Sequence, residues 1–315
     1  MVITMKIRFG YVSLSKTLDD ITASHTITYT NYEKEKDFTK ISNLIRSNLD
    51  SLYKILIYNQ KNNIHFYRIT SNLIPLATKK EVNFDYFTPY QDYYQKIKTI
   101  LKKTNMRVDM HPSSYCILNS TKKEVVTLTK DILEYHYNIL EQIGIKDKTI
   151  ILHIGSNTFG KKNSLSRFVH NFQKLPKHLK ECIAIENDDK VFNIEDCLFL
   201  ASQLNIPLIL DYHHHMCNPS TKPIEEYIKP ILDTWKNKIP KMHFSSPKNK
   251  KEYRHHHDYI NASDFIKFLA ILEKYQRNID IMIEAKAKDE AMFRLIREIK
   301  YQTNYKFLDE TTLEL

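Results

Sequence analysis

Glycine is scarce in this chain of 315 residues. The four glycines are Gly10, Gly144, Gly155 and Gly160, and none belongs to a GxGxxG or GxxxxGK pattern. Dinucleotide-binding and P-loop sites need several glycines, because the backbone must turn tightly and approach the phosphates closely. The sequence therefore predicts that the protein uses no nucleotide cofactor.

Cysteine pairs and long apolar runs are also missing. The four cysteines form neither a CxxC pair nor a zinc-finger spacing: Cys116, Cys182, Cys197 and Cys217. No stretch approaches about 18 uninterrupted apolar residues, the length that a membrane-spanning helix needs. The first residues, MVITMKIRF, contain two candidate start sites, Met1 and Met5, and lack the core and cleavage site of a signal peptide. These absences predict a cytoplasmic protein with reduced thiols and no membrane contact.

The charge balance is basic. Lys and Arg number 47 against 37 Asp and Glu, for a formal net charge of +10, and hydrophobic residues make up 42% of the chain. This apolar fraction is enough for a folded core. A basic surface attracts phosphate backbones and speeds their encounter with the protein, so the composition favours a polyanionic partner.

Eight short apolar or β-branched runs read as buried parallel strands. They span Ile7–Tyr11, Ile64–Ile69, Arg107–His111, Thr149–Ile154, Cys182–Glu186, Pro207–Asp211, Lys241–Phe244 and Ile279–Glu284. Segments with helical spacing of apolar residues lie between them, among them Phe38–Tyr58, Glu124–Ile143 and Ile194–Leu204. Repeated strand–helix alternation without a linker predicts an α/β fold, a single (β/α)8 TIM barrel over residues 1–315 with its core at about 6–300.

Metal-binding side chains recur where these strands end. From the third predicted strand to the eighth, each run ends in or beside a His, Asp or Glu: His111, His153, Glu186, Asp211, His214, His243 and Glu284. Since the carboxyl ends of barrel strands meet at one face, the sequence predicts a metal site there. So many ligands exceed the needs of one ion and indicate a multinuclear centre for phosphate-ester chemistry.

The donor types narrow the choice of metal. Imidazole and carboxylate together suit Zn²⁺, Mn²⁺ or Fe²⁺ better than Mg²⁺. We expect Glu186 and Asp211 to bridge ions, because they lie near the middle of the series. Only alternate strand residues face inward, so the HHH run at 213–215 cannot supply three ligands, and we favour His214. Lys241 shares the inward face of His243, which predicts either a phosphate contact or a modified lysine.

Several of these segments together resemble the UV damage endonuclease family. The segments are RFGYVS, YRITSNLIPLAT, MHPSSY, LHIGS, AIEND, DYHHHMCNP, MHFSS, HHDYI and IMIEAKAKD, from about Lys6 to Lys288. The resemblance implies a barrel related to endonuclease IV that holds two or three divalent ions, commonly manganese. It also implies cleavage of damaged double-stranded DNA immediately 5′ of cyclobutane pyrimidine dimers and 6-4 photoproducts, by an enzyme we expect to be monomeric.

The same resemblance implies roles for individual residues. It adds His256 to the metal ligands named above, assigns Glu186 and Lys241 to catalysis, and makes Lys241 the lysine that can be carboxylated. The implied contacts to DNA or the lesion are Tyr11, Ser114, Tyr115 and Asn72. Ser114 stands where other members usually have Gln, and Asn72 where some carry a His.

Two other functions remain open from the sequence. An abasic-site endonuclease of the endonuclease IV type uses a similar barrel, but its seventh strand should carry Asp-x-His, whereas this chain has Lys241-Met242-His243. A barrel sugar isomerase or epimerase also places His and carboxylates at strand ends. It needs only one or two ions, and the basic charge of this chain weighs against it.

Overall fold

Eight parallel strands close into a barrel in the computed structural model, which describes residues 5–315. The alternative starts at Met1 and Met5 concern residues 1–4, which lie outside the described residues. The barrel strands are β1 Lys6–Val12, β2 Phe66–Ile69, β3 Arg107–Met110, β4 Ile150–His153, β5 Ile183–Glu186, β6 Leu208–Asp211, β7 Lys241–Phe244 and β8 Ile279–Ile283.

Each barrel strand pairs with the strands before and after it in the chain. The order runs from β2 to β8, then β1, and β1 pairs in parallel with β2 to close the ring. The predicted (β/α)8 barrel is therefore confirmed. A short hairpin was not predicted: β9 Lys306–Phe307 and β10 Thr312–Glu314 form an antiparallel extension, in which Leu313 pairs with Ile7 of β1.

Amphipathic helices cover the outside of the barrel. They are α1 Tyr29–Glu35, α2 Phe38–Lys61, α3 Gln91–Thr104, α4 Lys123–Gln142, α5 Lys161–Gln173, α6 Lys177–Lys180, α7 Ile194–Leu204, α8 Tyr212–Cys217, α9 Glu225–Thr234, α10 Ala262–Glu273 and α11 Lys288–Gln302. A 3₁₀ turn, Thr88–Tyr90, precedes α3. Asn193 begins α7 with a capping box, since its side chain accepts from the Asp196 amide and Asp196 accepts from the Asn193 amide. Among the described residues, no helix combines the length and apolarity needed to cross a membrane.

Every second residue of a barrel strand faces the interior, and several of these inward side chains are charged. At the amino-terminal end, the Asp280 carboxylate accepts hydrogen bonds from Arg8 at 2.6 Å and from Arg107 at 2.8 Å. One layer higher, Asp109 accepts from Arg68 at 3.1 Å and from Lys241 at 3.2 Å. Asp280, Asp109 and Lys241 are fully buried. Buried charges persist only when paired, so these ion pairs define a polar axis that leads up to the carboxyl ends of the strands.

Candidate metal centre

Three groups of possible metal ligands meet at the carboxyl ends of the strands. Within each group the donor atoms lie within 4.8 Å of one another: His111, His153 and Glu186; Glu186, Asp211 and His214; Asp211, His243 and Glu284. Glu186 belongs to the first two groups and Asp211 to the last two. The side chains from six different strand ends therefore form one connected cluster.

Glu186 lies at the middle of this cluster. It is the last residue of β5 and is 1% exposed. Its carboxylate oxygens lie 3.0 Å from His111 Nε2, 3.0 Å from His243 Nδ1 and 3.4 Å from His214 Nδ1. Burial alone would raise the pKa of Glu186, but the positive charge of His243 and His153 and hydrogen bonds from His111 and His214 hold it well below its ordinary value. Glu186 therefore stays ionised and carries negative charge into the cluster.

A helix, rather than strand alternation, brings His214 to Asp211. The strand β6 ends at Asp211, and α8 begins at Tyr212. Asp211 caps this helix by accepting from the His214 amide at 2.7 Å, so residues 211 and 214 lie on one face. Burial alone would lower the pKa of His214, but Asp211 and Glu186 raise it to about 11. The carboxylates thus strongly favour a positive charge at this position.

Arg68 contacts the third group, and the sequence reasoning missed it. Its guanidinium donates to Glu284 Oε1 at 2.5 Å and lies 2.6 Å from His243 Nε2. It also bonds Asp109 in the layer below. The strand segment HFYRI places Phe66 and Arg68 on the same inward face, so a lone arginine in an apolar strand was the available signal. Arg68 fixes the orientation of two candidate ligands.

Lys241 lies below the cluster, not within it. Its Nζ contacts Asp109 at 3.2 Å and lies 5.2 Å from the centre of the Phe66 ring. Burial lowers the pKa of Lys241 to about 7, although Asp109 opposes that shift. A catalytic role for Lys241 stays a prediction.

His256 is near the cluster but outside the three groups that the described residues form. Its ring centre lies 6.3 Å from that of His214 and 5.6 Å from that of His213. The loop after β7 carries it, and a bridge between His256 and Pro247 ties this loop back on itself. A ligand role for His256 therefore also stays a prediction.

Unpaired buried atoms indicate that the cluster suits metal ions. Within the described chain, His153 Nδ1 and Asp211 Oδ2 are buried and have no hydrogen-bond partner. Buried polar atoms without partners are rare because each costs free energy, and an ion is a common explanation. The mixed nitrogen and oxygen donors fit a divalent transition metal such as Mn²⁺ or Zn²⁺. The residues present therefore fit two or three such ions.

A cleft of about 420 Å³ opens onto this cluster. Its lining includes His111, His153 and His214 of the cluster, together with Asp188, Asp189 and Lys190. Ser113 and Ser114 also line it, from the loop that follows β3.

Tyr115 projects from a tight turn beside the cleft. The Cys116 amide donates to the Ser113 carbonyl at 2.9 Å, and the buried Cys116 side chain anchors the turn. Tyr115 is 78% exposed. The turn therefore holds the Tyr115 ring in solvent near the candidate ligands. Ser114 is the residue directly before Tyr115 in this turn.

The two other residues predicted to contact DNA lie elsewhere. Tyr11 is fully buried on the outer face of β1, where its hydroxyl donates to Asn59 at 2.7 Å and its ring packs against Tyr67. The implied contact between Tyr11 and DNA does not agree with this position, because the odd-numbered residues of β1 face the helices. Asn72 is exposed, and it shares the lining of a small cavity with Ser113. A contact between Asn72 and DNA stays a prediction.

Comparisons with known proteins agree with this arrangement. The family model of UV-endonuclease UvdE matches residues 7–313. A UV DNA damage endonuclease of Bacillus cereus is 41% identical over 302 residues, covering 94% of this chain and 95% of that protein. One of Bacillus thuringiensis is 38% identical, covering 98% of this chain and all of that protein.

Solved structures give the same picture. The crystal structure of SacUVDE superposes with a TM-score of 0.85 at 33% identity, covering 94% of this chain and 98% of the other. Endonuclease IV from Thermus thermophilus has a TM-score of 0.55 at 11% identity, with 93% of this chain and 98% of the other covered. An L-ribulose 3-epimerase also has a TM-score of 0.55, at 13% identity, with 96% and 89% covered. The last two likenesses show a shared barrel fold.

Proposed function

Because the chain belongs to the UV-endonuclease UvdE family and acts as a UV DNA damage endonuclease, we propose that the Glu186–Asp211 cluster is its active site. The reaction is hydrolysis of the DNA phosphodiester immediately 5′ of a UV photoproduct, either a cyclobutane pyrimidine dimer or a 6-4 photoproduct. The observation that carries the proposal is the connection of three ligand groups through two shared carboxylates. Such sharing is what a multinuclear phosphoesterase needs.

Divalent ions, with Mn²⁺ as the first candidate, would be held by His111, His153, Glu186, Asp211, His214, His243 and Glu284. When bound, such ions supply a hydroxide at neutral pH and stabilise the charge of a phosphate under attack. His256, 6.3 Å from His214 between ring centres, would be a further ligand. The protein needs no nucleophile of its own for this chemistry.

The chain's own residues prepare the cluster. Glu186 remains ionised in a fully buried place because histidines surround it. Arg68 holds Glu284 at 2.5 Å and the His243 ring at 2.6 Å, so neither ligand is free to rotate. The Asp109 carboxylate in turn fixes both Arg68 and Lys241 from below. Such support keeps ligand geometry constant while substrate binds.

The duplex is bound mainly through its phosphates. The loop between β7 and α10 carries three exposed lysines, Lys248, Lys250 and Lys251, and it follows a strand that ends in the cluster. Together with the net charge of +10, these residues give affinity without sequence preference.

Lesion recognition depends on the weak stacking of the photoproduct. A damaged and bent dinucleotide costs less to extrude than normal bases do. Tyr115, which is 78% exposed at the cleft, stacks on bases uncovered by the extrusion. Ser114 beside it is too short to fill the place of an extruded base.

A strand-incision assay tests the proposal. Purified protein with Mn²⁺ is mixed with end-labelled duplexes that carry one cyclobutane dimer, one abasic site or no lesion. We expect one metal-dependent cut directly 5′ of the dimer. Cutting of the abasic duplex alone would assign the endonuclease IV reaction instead, and no cut with metal bound would reject DNA hydrolysis at this cluster.

We also propose that the enzyme works as a monomer in the cytoplasm. Four free thiols, at Cys116, Cys182, Cys197 and Cys217, agree with a reducing compartment. Sedimentation of the purified protein with and without damaged duplex tests the oligomeric state.

A further inference from the structure

Phe159 is a large apolar side chain held in solvent. It is 77% exposed, in the loop between β4 and α5. Its φ angle is 65°, in the left-handed region that residues other than glycine seldom adopt. A phenylalanine that is both exposed and strained gains nothing from the fold by being there, and such strain tends to concentrate at functional sites.

Hydrogen bonds on both sides of Phe159 fix this loop. Arg167 donates from Nη2 to the Thr158 carbonyl at 2.5 Å and from Nε to the Asn119 carbonyl at 2.9 Å. The Asn163 side chain donates to the carbonyl of Phe159 itself at 2.8 Å. The loop therefore presents the ring in a set position, because its backbone is bound on both sides.

The Phe159 loop and the Tyr115 loop are joined. The Asn119 side chain donates to the Ser156 carbonyl at 2.8 Å and accepts from the Ser156 amide at 3.0 Å. Ser156 lines the cleft over the metal ligands, as do Ser113 and Ser114 of the other loop. Two exposed aromatic rings, Tyr115 and Phe159, are thus carried by two hydrogen-bonded loops, each of which contributes other residues to the lining of this cleft.

The surroundings of Phe159 suit nucleic acid. Exposed Lys161 and Lys162 follow it within three residues; Lys161 pairs with Asp196 at 2.6 Å, so Lys162 is the lysine placed to meet a phosphate. An aromatic face beside positive charge is the usual combination for binding unpaired bases, since every base has a face that stacks while the phosphates pair with lysine.

We infer that Phe159 stacks on a DNA base beside the lesion, as a second aromatic contact that acts together with Tyr115. The inference rests on the proposed function, because it assumes that damaged duplex enters this cleft. The phenyl ring of Phe159 carries no group that ligates a metal or transfers a proton, so it is a specificity residue and takes no part in the hydrolysis. Its ring favours DNA in which bases are already unstacked, since only there is a base face open to it.

The test compares Phe159→Ala, Phe159→Trp and a matched control, Tyr301→Ala. Tyr301 is 93% exposed at the end of α11, whose last turn lies at the opposite face of the barrel. Affinity is measured by fluorescence anisotropy on duplexes with an uncleavable methylphosphonate 5′ of a cyclobutane dimer. We expect the Ala variant to bind about ten- to a hundredfold more weakly, with the Trp variant and the control close to the parent protein. Equal affinity of the Ala variant and the parent would overturn the inference.

A second measurement reads stacking itself. Duplexes carry the fluorescent base 2-aminopurine next to the dimer or opposite it. Stacking of 2-aminopurine on Phe159 should quench the fluorescence of the base at one of these positions. Phe159→Ala should restore the fluorescence, and no difference at either position would contradict the assignment. Neither readout requires cleavage, so failure of the parent protein to cut rejects the proposed function separately.

Discussion

Replacement of Glu186 by glutamine tests the central feature of the site. Glu186 is shared by two of the three ligand groups, and its oxygens lie within 3.4 Å of His111, His243 and His214. The Glu186→Gln change keeps the size of the side chain and removes one negative charge. A neutral amide is a poor ligand for a divalent ion and cannot bridge two of them.

The expected loss can be estimated. Removal of one uncharged donor to a transition state typically costs about 10²- to 10³-fold in rate. Glu186 supplies a full charge to two groups, so we expect a loss of at least about 10³-fold, which is roughly 4 kcal/mol. DNA affinity should stay within a few fold, because phosphate contacts on outer loops supply most of it.

Three measurements on the same preparation decide the outcome. Single-turnover incision of a dimer duplex gives the rate, mass spectrometry of bound metal gives the ions per chain, and anisotropy gives the affinity. We expect the rate to collapse and the metal content to fall by one or more ions. The control is Glu226→Gln, at a half-exposed glutamate on α9 that pairs with Lys222. An active Glu186→Gln enzyme with full metal content would refute the shared-ligand reasoning.

Three further outcomes follow from particular side chains. Tyr115→Ala should weaken binding to dimer duplex by about ten- to a hundredfold with little effect on intact duplex, and equal loss on both would point to packing. Burial lowers the pKa of His136 from 6.5 to about 4, so the unfolded chain binds more protons between these values. Stability should therefore fall by about 3 kcal/mol as the pH drops through this window, and denaturant titrations of metal-free His136→Gln should show a smaller fall. Of the four cysteines, only the partly exposed Cys217 should react with a thiol reagent at pH 8. Burial raises the pKa of Cys116 and Cys182 to about 12, and Cys197 is fully enclosed. Fast reaction of all four thiols would indicate that the fold is open.

Strand periodicity explains why the barrel was predictable. The segment Lys241–Phe244 was predicted at the bounds the structure has, and β2 begins at Phe66 instead of Ile64. Short apolar runs between amphipathic helices are typical of parallel α/β folds, because helices cover their strands, and eight such runs in succession favour a closed barrel. The hairpin of β9 and β10 was missed because it has only two and three residues per strand and depends on pairing with β1.

Local sequence was a weaker guide to how some side chains reach the site. Strand alternation was applied to the HHH run, but α8 begins at Tyr212 and a helical turn selects His214. Tyr11 was expected at the lesion, yet parity along β1 sends it to the helix layer against Asn59. For His214 the deciding feature was the residue at which β6 ends, and for Tyr11 it was which face of β1 points toward the helices.

The sequence by itself determined the fold class, the family and the ligand types at the strand ends, because these depend on local periodicity and on which atoms bind metal. Only the tertiary structure decided that Glu186 and Asp211 each belong to two ligand groups and that Arg68 holds Glu284 and His243. It also decided that the loops carrying the exposed Phe159 and Tyr115 are hydrogen-bonded to each other. Closure of the barrel brings residues more than a hundred positions apart within hydrogen-bonding distance, and no local pattern encodes such distances.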